Sequence, residues 1–271
     1  MRYSFGISYN VPLQSPWSPG ATDGTTNFLS AIYQNPQNVS TYFFYGQSNE
    51  LMRIVYPLGA ELRWDYRSFV FTGNRSIREV QNRYLRMGPG KPELLYTLTY
   101  PTDGADAGRS YHETARLGDP SGPYKLYTVD AARRLANQEE REAGGNVLVR
   151  REFGWTTSVS GQPYINDVIE KLNPNNPTNG RWSKSTQVLD AFGNVSESRK
   201  YEYVAPGAAF NDSTARVYTA SYVTDPAYFN AYIRNRLVTA TVRKGVASPP
   251  AITLVSNVYD FQPGNCTQGI L

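Results

Sequence analysis

The sequence predicts a mainly β fold built from many short strands joined by turns. Its 271 residues include 21 Tyr, more than the 11 Phe and 4 Trp together, and Val, Thr and Ile fill the segments between turns. Aromatic and β-branched side chains suit a pleated, half-buried surface. The 22 Gly and 18 Pro supply the breaks that numerous hairpin turns require.

The first clear strands lie in the N-terminal part of the chain. Tyr3 to Tyr9 reads as a strand, and the rest of 1–40 reads as short strands and loops. From Thr41 onward three strands alternate with turns, one of them at Pro57-Leu58-Gly59. Pro presets φ and Gly accepts a positive φ, which suits a tight turn. In the third strand, alternation places Leu62, Trp64 and Tyr66 on one face.

Three short helices are predicted between later strands. Asp130 is a favourable N-cap for a helix over 131–141, which Gly144-Gly145 would end. Two further helices are predicted over 165–172 and 226–235. The remaining strands are predicted at 91–100, 124–129, 146–159, 181–190, 195–204, 215–224, 237–243 and 251–261.

Three units along the chain share one pattern: a turn glycine, an alternating strand and an ending that combines aromatic and acidic residues. The first runs from Gly59 to Trp64-Asp65-Tyr66, and the second from Gly193-Asn194 to Tyr201-Glu202-Tyr203. A third, partial unit begins at Asn235 and closes at Tyr259-Asp260. The spacing between glycine and tyrosine varies from unit to unit.

These units resemble the RHS, or YD-repeat, family, whose degenerate unit places a Tyr-Asp pair after a turn glycine. The resemblance is strongest over 190–260 and weaker over 42–66, so that motif-bearing segments cover about a third of the chain. It rests on Gly59, Trp64, Asp65, Tyr66, Gly193, Asn194, Tyr201, Tyr203, Arg236, Tyr259 and Asp260.

The resemblance implies a long antiparallel ribbon of β-hairpins that curves into part of a hollow β-shell. RHS proteins are large exported bacterial proteins with relatives in insecticidal toxin complexes and animal teneurins, and in polymorphic toxins the shell encloses a variable C-terminal toxin. On this basis 1–271 form a single repeat region, with the clearest units at 41–70 and 188–262 and an irregular insertion with short helices at 101–180. The Asp-Pro-x-Gly-Leu ending of the family's autoprotease region is not found, because Asp119-Pro120 and Asp225-Pro226 lack the Gly-Leu.

Charge and targeting signals narrow the range of functions. The 27 basic and 23 acidic residues give a net charge of +4 and are spread along the chain, whereas a nucleic-acid surface concentrates its cations. No apolar run reaches membrane-spanning length, and the segment that begins Met1-Arg2-Tyr3-Ser4-Phe5-Gly6 lacks the charged and apolar regions of a signal peptide. We therefore expect no nucleic-acid partner and no membrane insertion by this segment. We also expect a segment of a longer secreted or cell-surface protein.

Candidate catalytic and metal-binding groups are sparse. His112 is the only histidine and Cys266 the only cysteine, whereas triads and zinc sites need several positioned ligands. Tyr111-His112-Glu113 therefore reads as a polar loop or strand edge. The paired carboxylates read as turn or surface groups: Asp103 with Asp106, Glu139 with Glu140, and Glu61 with Asp65. We expect no enzyme activity, no cofactor and no bound metal.

Three hypotheses follow for the function. The first is a non-catalytic structural segment of a repeat shell, whose partners are the remainder of that shell and an enclosed C-terminal toxin. The alternative is a carbohydrate-binding or adhesive extracellular β domain, in which Trp17, Trp155 and Trp182 form platforms for cell-surface carbohydrate. The third is a hydrolase on a β scaffold, which requires two carboxylates facing each other across a cleft.

Overall fold

The computed structural model describes residues 2–14, 21–35, 37–46, 49–100, 111–245 and 250–259. The predicted fold class is confirmed, since the described residues form 17 strands in antiparallel hairpins and almost no helix. The strands are β1 (Arg2–Gln14), β2 (Thr22–Asn35), β3 (Val39–Tyr45), β4 (Leu51–Val55), β5 (Glu61–Phe71), β6 (Arg75–Arg86), β7 (Glu93–Thr99), β8 (Thr114–Gly118), β9 (Tyr124–Val129), β10 (Leu135–Arg141), β11 (Val147–Thr157), β12 (Pro163–Leu172), β13 (Arg181–Leu189), β14 (Val195–Lys200), β15 (Arg216–Tyr222), β16 (Leu237–Lys244) and β17 (Ile252–Ser256).

The chain divides into two compact units. The first comprises 1–135 and 141–146, and the second comprises 136–140 and 147–271. Within the first unit each strand from β1 to β9 pairs antiparallel with the next one in the chain. Within the second unit the same holds from β11 to β17. Each unit is thus a succession of hairpins, the topology in which every turn joins neighbouring strands.

Few side chains in either unit are fully buried. Among the described residues the buried apolar ones are Ala31, Phe69, Phe71, Val147, Ala215, Val217 and Val223. A sheet normally buries one face against a second layer, but few of the described strand residues are buried to that extent. The ladder hydrogen bonds and the cross-strand side-chain pairs therefore carry much of the stability.

Two of the three predicted helices are wrong. The stretch 131–141 begins with a tight turn and continues as β10, and 165–172 lies inside β12. Asp130 accepts hydrogen bonds from the backbone N–H groups of Ala132 and Arg134, so it closes a turn and does not cap a helix. In β12, the partner strands β11 and β13 supply ladder pairing that overrides the local helical signal.

The third predicted helix is confirmed in shortened form. Helix α1 covers Pro226–Asn230, where the side chain of Asp225 accepts a hydrogen bond from Ala227 N–H at 2.7 Å. The predicted irregular insertion at 101–180 is also wrong for its described part, because β8 to β12 occupy most of 114–172. Its first ten residues lie outside the described residues. That residues 1–271 form a single repeat region stays a prediction.

Candidate functional site

Six turns in the described part of the chain share one five-residue hydrogen-bonded frame. In each, the first residue's N–H donates to the carbonyl of the fifth, and the fourth residue's N–H donates to the carbonyl of the first. The fourth residue has a positive φ in every case. This is the frame of a three-residue hairpin loop that ends in a left-handed residue. The turns cover 46–50, 56–60, 130–134, 142–146, 158–162 and 190–194.

Gly59 and Gly193, the turn glycines of the first two sequence units, both occupy the fourth place of this frame. Their φ angles are 80° and 85°, a region in which glycine carries no steric penalty. A Cβ at Gly59 would lie 2.8 Å from Cγ of Pro89, whereas one at Gly193 would have no neighbour within 4 Å. The backbone conformation favours glycine at both positions, and at Gly59 the lack of space beside Pro89 favours it further.

An aspartate in the first place of the frame adds side-chain bonds to the turn. Asp190 accepts from the backbone N–H groups of Phe192 and Asn194 at 2.8 and 2.9 Å, and from the Asn194 side-chain amide at 2.9 Å. Asp130 does the same with Ala132 and Arg134. Sequence reasoning did not detect this second copy, because Arg133 stands where the other turn has glycine.

The bonds to these aspartates favour the ionised carboxylate. Burial alone would raise the pKa of Asp190, but the hydrogen bonds from Asn194, Phe192 and Gly193 outweigh it and lower that pKa. For Asp130 the bonds from the backbone and side chain of Arg134 lower the pKa. Both turns are therefore tied by charge-assisted hydrogen bonds.

Four tyrosines close the open ends of hairpins in the same way. In each hairpin the tyrosine lies three residues after the residue of the second strand that forms the last ladder pair. Its hydroxyl donates to a backbone carbonyl on the first strand, two residues before the other member of that pair. After the pair Arg53↔Arg63, Tyr66 donates to Leu51 at 2.7 Å. The other three bonds join Tyr45 to Leu29, Tyr222 to Val195 and Tyr259 to Leu237, at 3.0, 3.0 and 2.8 Å. We call Tyr45, Tyr66, Tyr222 and Tyr259 the open-end tyrosines.

The open-end position explains why the sequence spacing varies. Tyr66 and Tyr259 are the motif tyrosines of the first and third units, whereas Tyr45 and Tyr222 lie outside the motif as it was defined from sequence. The distance from glycine to tyrosine depends on the length of the intervening strand and loop, while the distance from the last ladder pair to the tyrosine is constant. Only a structure reveals that constant distance.

Tyr203, the motif tyrosine of the second unit, holds the same place beyond the pair Ser185↔Lys200, but it has a different partner. Its hydroxyl donates to Oε1 of Glu170 at 2.7 Å, and this bond raises the pKa of Tyr203. Glu170 also accepts from Arg151, which donates in turn to Glu140. These hydrogen bonds form a continuous series that connects side chains of β10, β11 and β12 with the segment after β14.

The other sequence-predicted residues have separate roles. Asp65 accepts from the hydroxyl of Tyr84 at 2.6 Å and pairs with Arg63 at 3.0 Å, and Tyr201 donates to Asp212 at 2.7 Å. Trp64 lies half-buried on β5. The backbone carbonyl of Arg236 accepts from Val223 N–H at 2.9 Å. Asp260 lies outside the described residues.

Two of the three carboxylate pairs considered from sequence form ion pairs with arginines. Glu139 and Glu140 are adjacent on β10, so they point to opposite faces, and they pair with Arg150 at 2.6 Å and Arg151 at 3.1 Å. Glu61 forms ion pairs with Arg53 and Arg86. Asp103 and Asp106 lie outside the described residues. The described members of these pairs thus form ion pairs with arginine, between strands for Glu61, Glu139 and Glu140 and within β5 for Asp65.

His112 lies in the segment directly before β8, at the strand edge, and its ring belongs to an aromatic cluster of the first unit. Its ring stacks on Tyr100 with centroids 3.6 Å apart and meets the edges of Phe69 and Phe71. Nε2 of His112 lies 2.8 Å from Oε2 of Glu79. The histidine side chain is 12% exposed, so it contributes to packing against the two most buried phenylalanines.

The tryptophans considered as sugar platforms do not form an exposed row among the described residues. Trp155 and Trp182 are both half-buried, and Nζ of Lys171 lies 4.5 Å from the Trp182 ring centroid. Trp17 lies outside the described residues.

The described part of the chain offers neither a cluster of metal ligands nor a membrane-spanning helix. No group of three or more His, Cys, Asp or Glu side chains there is arranged to hold a metal ion. None of its helices combines the length and the hydropathy needed to cross a lipid bilayer.

Comparison with known proteins gives structural likenesses only. No protein-family model and no curated protein matches the chain. It is similar to the crystal structure of TcdB2-TccC3 without its hypervariable C-terminal region, with 13% identity and a TM-score of 0.46 over 79% of this chain and 9% of that one. It is also similar to the crystal structure of TcdB2-TccC3-TEV, with 14% identity and a TM-score of 0.47 over 88% of this chain and 11% of that one. A porin-like protein from Bacteroides uniformis has 11% identity to this chain and a TM-score of 0.27, over 82% of this chain and 87% of that one. These TM-scores are all under 0.5, so the likenesses carry no argument about function.

Proposed function

We propose that this chain is a non-catalytic structural segment of an RHS/YD-repeat protein, whose hairpins form part of the wall of a β-shell. The observation that carries the proposal is the recurrence of the open-end tyrosines at one hairpin position, in both units of the chain. A repeat architecture is diagnosed by such recurrence of one structural unit. The six turns of one frame support the same conclusion.

The composition of the strands suits a wall that has water on both sides. Few described side chains are fully buried, and many strand residues are half-buried tyrosines or arginines in ion pairs. A tyrosine packs its ring against neighbours while its hydroxyl reaches a polar partner. Hairpins linked in this way withstand solvent on either face without a thick core.

The proposed partners follow from the shell. They are the remainder of the same repeat shell and a C-terminal toxin or effector enclosed by it, in a protein that is secreted or displayed on the cell surface. The alternative, a carbohydrate-binding or adhesive domain, stays a prediction, because the described tryptophans are half-buried.

Electron cryomicroscopy of the full-length native protein tests this proposal. The protein is captured from its source with an antibody raised against this chain, and the same preparation is used for protease digestion. We expect hairpins that continue from β1 or β17 into further repeats, around a volume that holds a protease-resistant C-terminal domain. Closed, independent β-sandwiches would contradict the shell. Binding to a glycan array that is lost in the variant Trp182→Ala would favour the alternative.

A further inference from the structure

Arg234 lies at the centre of an aromatic cluster in the second unit. Its guanidinium carbon is 5.1 Å from the ring centroid of Phe192, 5.8 Å from that of Phe229 and 5.2 Å from that of Tyr232. A cation within about 6 Å of a ring centroid is attracted by the ring's quadrupole. We call Phe192, Phe229, Tyr232 and Arg234 the Arg234 cluster.

The cluster is held by rigid local structure. Phe192 stands in the turn closed by Asp190, whose carboxylate accepts from Phe192 N–H. The side-chain amide of Asn194, in the same turn, donates to the backbone carbonyl of Arg234 at 2.8 Å. Phe229 belongs to α1. The turn is thereby tied to Arg234, and the contact between the Phe192 and Phe229 rings places α1 beside the turn.

Two members of the cluster face solvent. Tyr232 is 82% exposed and Phe192 is 45% exposed. Tyr232 also adopts a φ of 59°, which a bulky side chain rarely does and which costs free energy. The chain thus holds a large aromatic ring in water in a strained conformation, although a glycine would be favoured there on stability alone.

The charge of Arg234 has no counterpart among the described residues. No described carboxylate lies within ion-pair distance of it, and its Nε is buried without a hydrogen-bond partner in the described structure. Arg63, which also lies over a ring, differs in that Asp65 and Glu93 bind it at 3.0 and 3.3 Å. An arginine among exposed aromatic rings without an acidic neighbour is complementary to an anionic, partly apolar ligand.

The angles between the rings select the class of ligand. Phe192 and Phe229 meet edge to face, with centroids 4.8 Å apart and an interplanar angle of 82°. Such rings present no coplanar platform for a sugar face. Ring edges and the exposed Tyr232 ring lie beside the guanidinium of Arg234. Aromatic rings next to an arginine are typical of protein-binding hot spots.

We propose that the Arg234 cluster binds an acidic polypeptide segment. One carboxylate of the segment binds the Arg234 guanidinium, and a neighbouring apolar or aromatic side chain packs on Phe192 and Tyr232. This inference goes beyond the proposed structural role and does not depend on it, since the cluster lies within one unit.

Fluorescence anisotropy with the whole chain tests the site. The probe is a fluorescein-labelled peptide Gly-Glu-Phe-Glu-Phe-Gly, compared with peptides in which Gln or Lys replaces both Glu residues. We expect the acidic peptide to bind, and binding to weaken about tenfold or more in Arg234→Gln and with the Gln peptide, since each removes the charge-assisted contact. The matched control Arg216→Gln removes an exposed arginine of β15 in the same unit and leaves affinity unchanged.

The variant Tyr232→Gly separates binding from folding. Glycine accepts the positive φ of this position, so we expect thermal stability to stay equal or rise while peptide affinity falls. Equal affinity in wild type, Arg234→Gln and Tyr232→Gly overturns the proposal, as does the absence of peptide binding at about 1 mM. Binding of polygalacturonate that depends on Arg234, without peptide binding, assigns the site to acidic carbohydrate and also overturns it.

Discussion

Single residues with one conformational or hydrogen-bonding task recur through this chain. Glycine or asparagine occupies the fourth place of five of the six turns, and Arg133 occupies it in the sixth. A tyrosine occupies the open end of four described hairpins. The turn glycine and the motif tyrosine of one unit perform these tasks without contacting each other. The sequence motif therefore combines two independent structural features, a turn glycine and an open-end tyrosine, which are separated by one strand.

The two turn glycines differ in a measurable way. Gly193→Ala should lower the free energy of unfolding by about 1 kcal/mol, the usual penalty for a Cβ at positive φ. Gly59→Ala should cost more, because its Cβ would also meet the Pro89 ring. Urea denaturation of the two variants checks the order, and equal midpoints would refute the steric contribution of Pro89.

The hydroxyl of an open-end tyrosine should contribute directly to stability. Tyr66→Phe removes the bond to the Leu51 carbonyl and should destabilise by about 0.5–1.5 kcal/mol. Tyr56→Phe is the control, because its exposed ring makes no hydroxyl bond to a described residue. Equal losses in the two variants, measured by thermal or urea unfolding, would show that the bond contributes nothing specific.

At the scale of elements, turns and ion pairs decide how hairpins are held in register. One series of hydrogen bonds crosses three strands of the second unit and joins Glu140, Arg151, Glu170 and Tyr203. Each of these groups is partly exposed, so water weakens each ion pair in the series. Turns closed by an aspartate carboxylate add a charge-dependent bond that the serine-closed turn at Ser158 lacks, since there Gln162 N–H binds a neutral hydroxyl.

The aspartate-closed turns should make stability fall in acid. The folded-state pKa of Asp190 is lowered below its ordinary value of 3.8, so its contribution is fully present above that value and is lost as pH falls through the folded pKa. The difference in free energy of unfolding between wild type and Asp190→Asn should therefore shrink from pH 7 to pH 3. Ser158→Ala should show a loss that does not change with pH. A difference for Asp190→Asn that stays constant over this range would contradict the assignment.

At the scale of the whole molecule, the exposed apolar side chains of β1 have consequences for solubility. Tyr3, Phe5, Ile7 and Tyr9 are 54%, 62%, 42% and 68% exposed. Alternate residues of a strand lie on one face, so these four form a row. An exposed apolar row of this kind is a site of association between copies when no neighbouring repeat covers it.

We accordingly expect the isolated chain to self-associate. The double variant Phe5→Thr with Tyr9→Thr keeps β-branched side chains and should raise the monomer fraction in sedimentation velocity. Ser4→Thr with Ser8→Thr changes the alternate positions and serves as the control. A monodisperse wild-type monomer with one sharp unfolding transition would contradict this expectation.

The sequence by itself determined the strand-rich class, most strand positions, the turn glycines Gly59 and Gly193 and the motif tyrosines. These are local properties, set by side-chain shape, backbone torsion and alternation. The tertiary structure alone decided that 135–141 and 163–172 are strands, because ladder partners stabilise them more than local helical propensity does. It alone also revealed the tyrosine acceptors and the Arg234 cluster. Each open-end tyrosine lies 15 to 27 residues from its acceptor, and Asn194 lies 40 residues from Arg234. Only the pairing of strands brings these groups together.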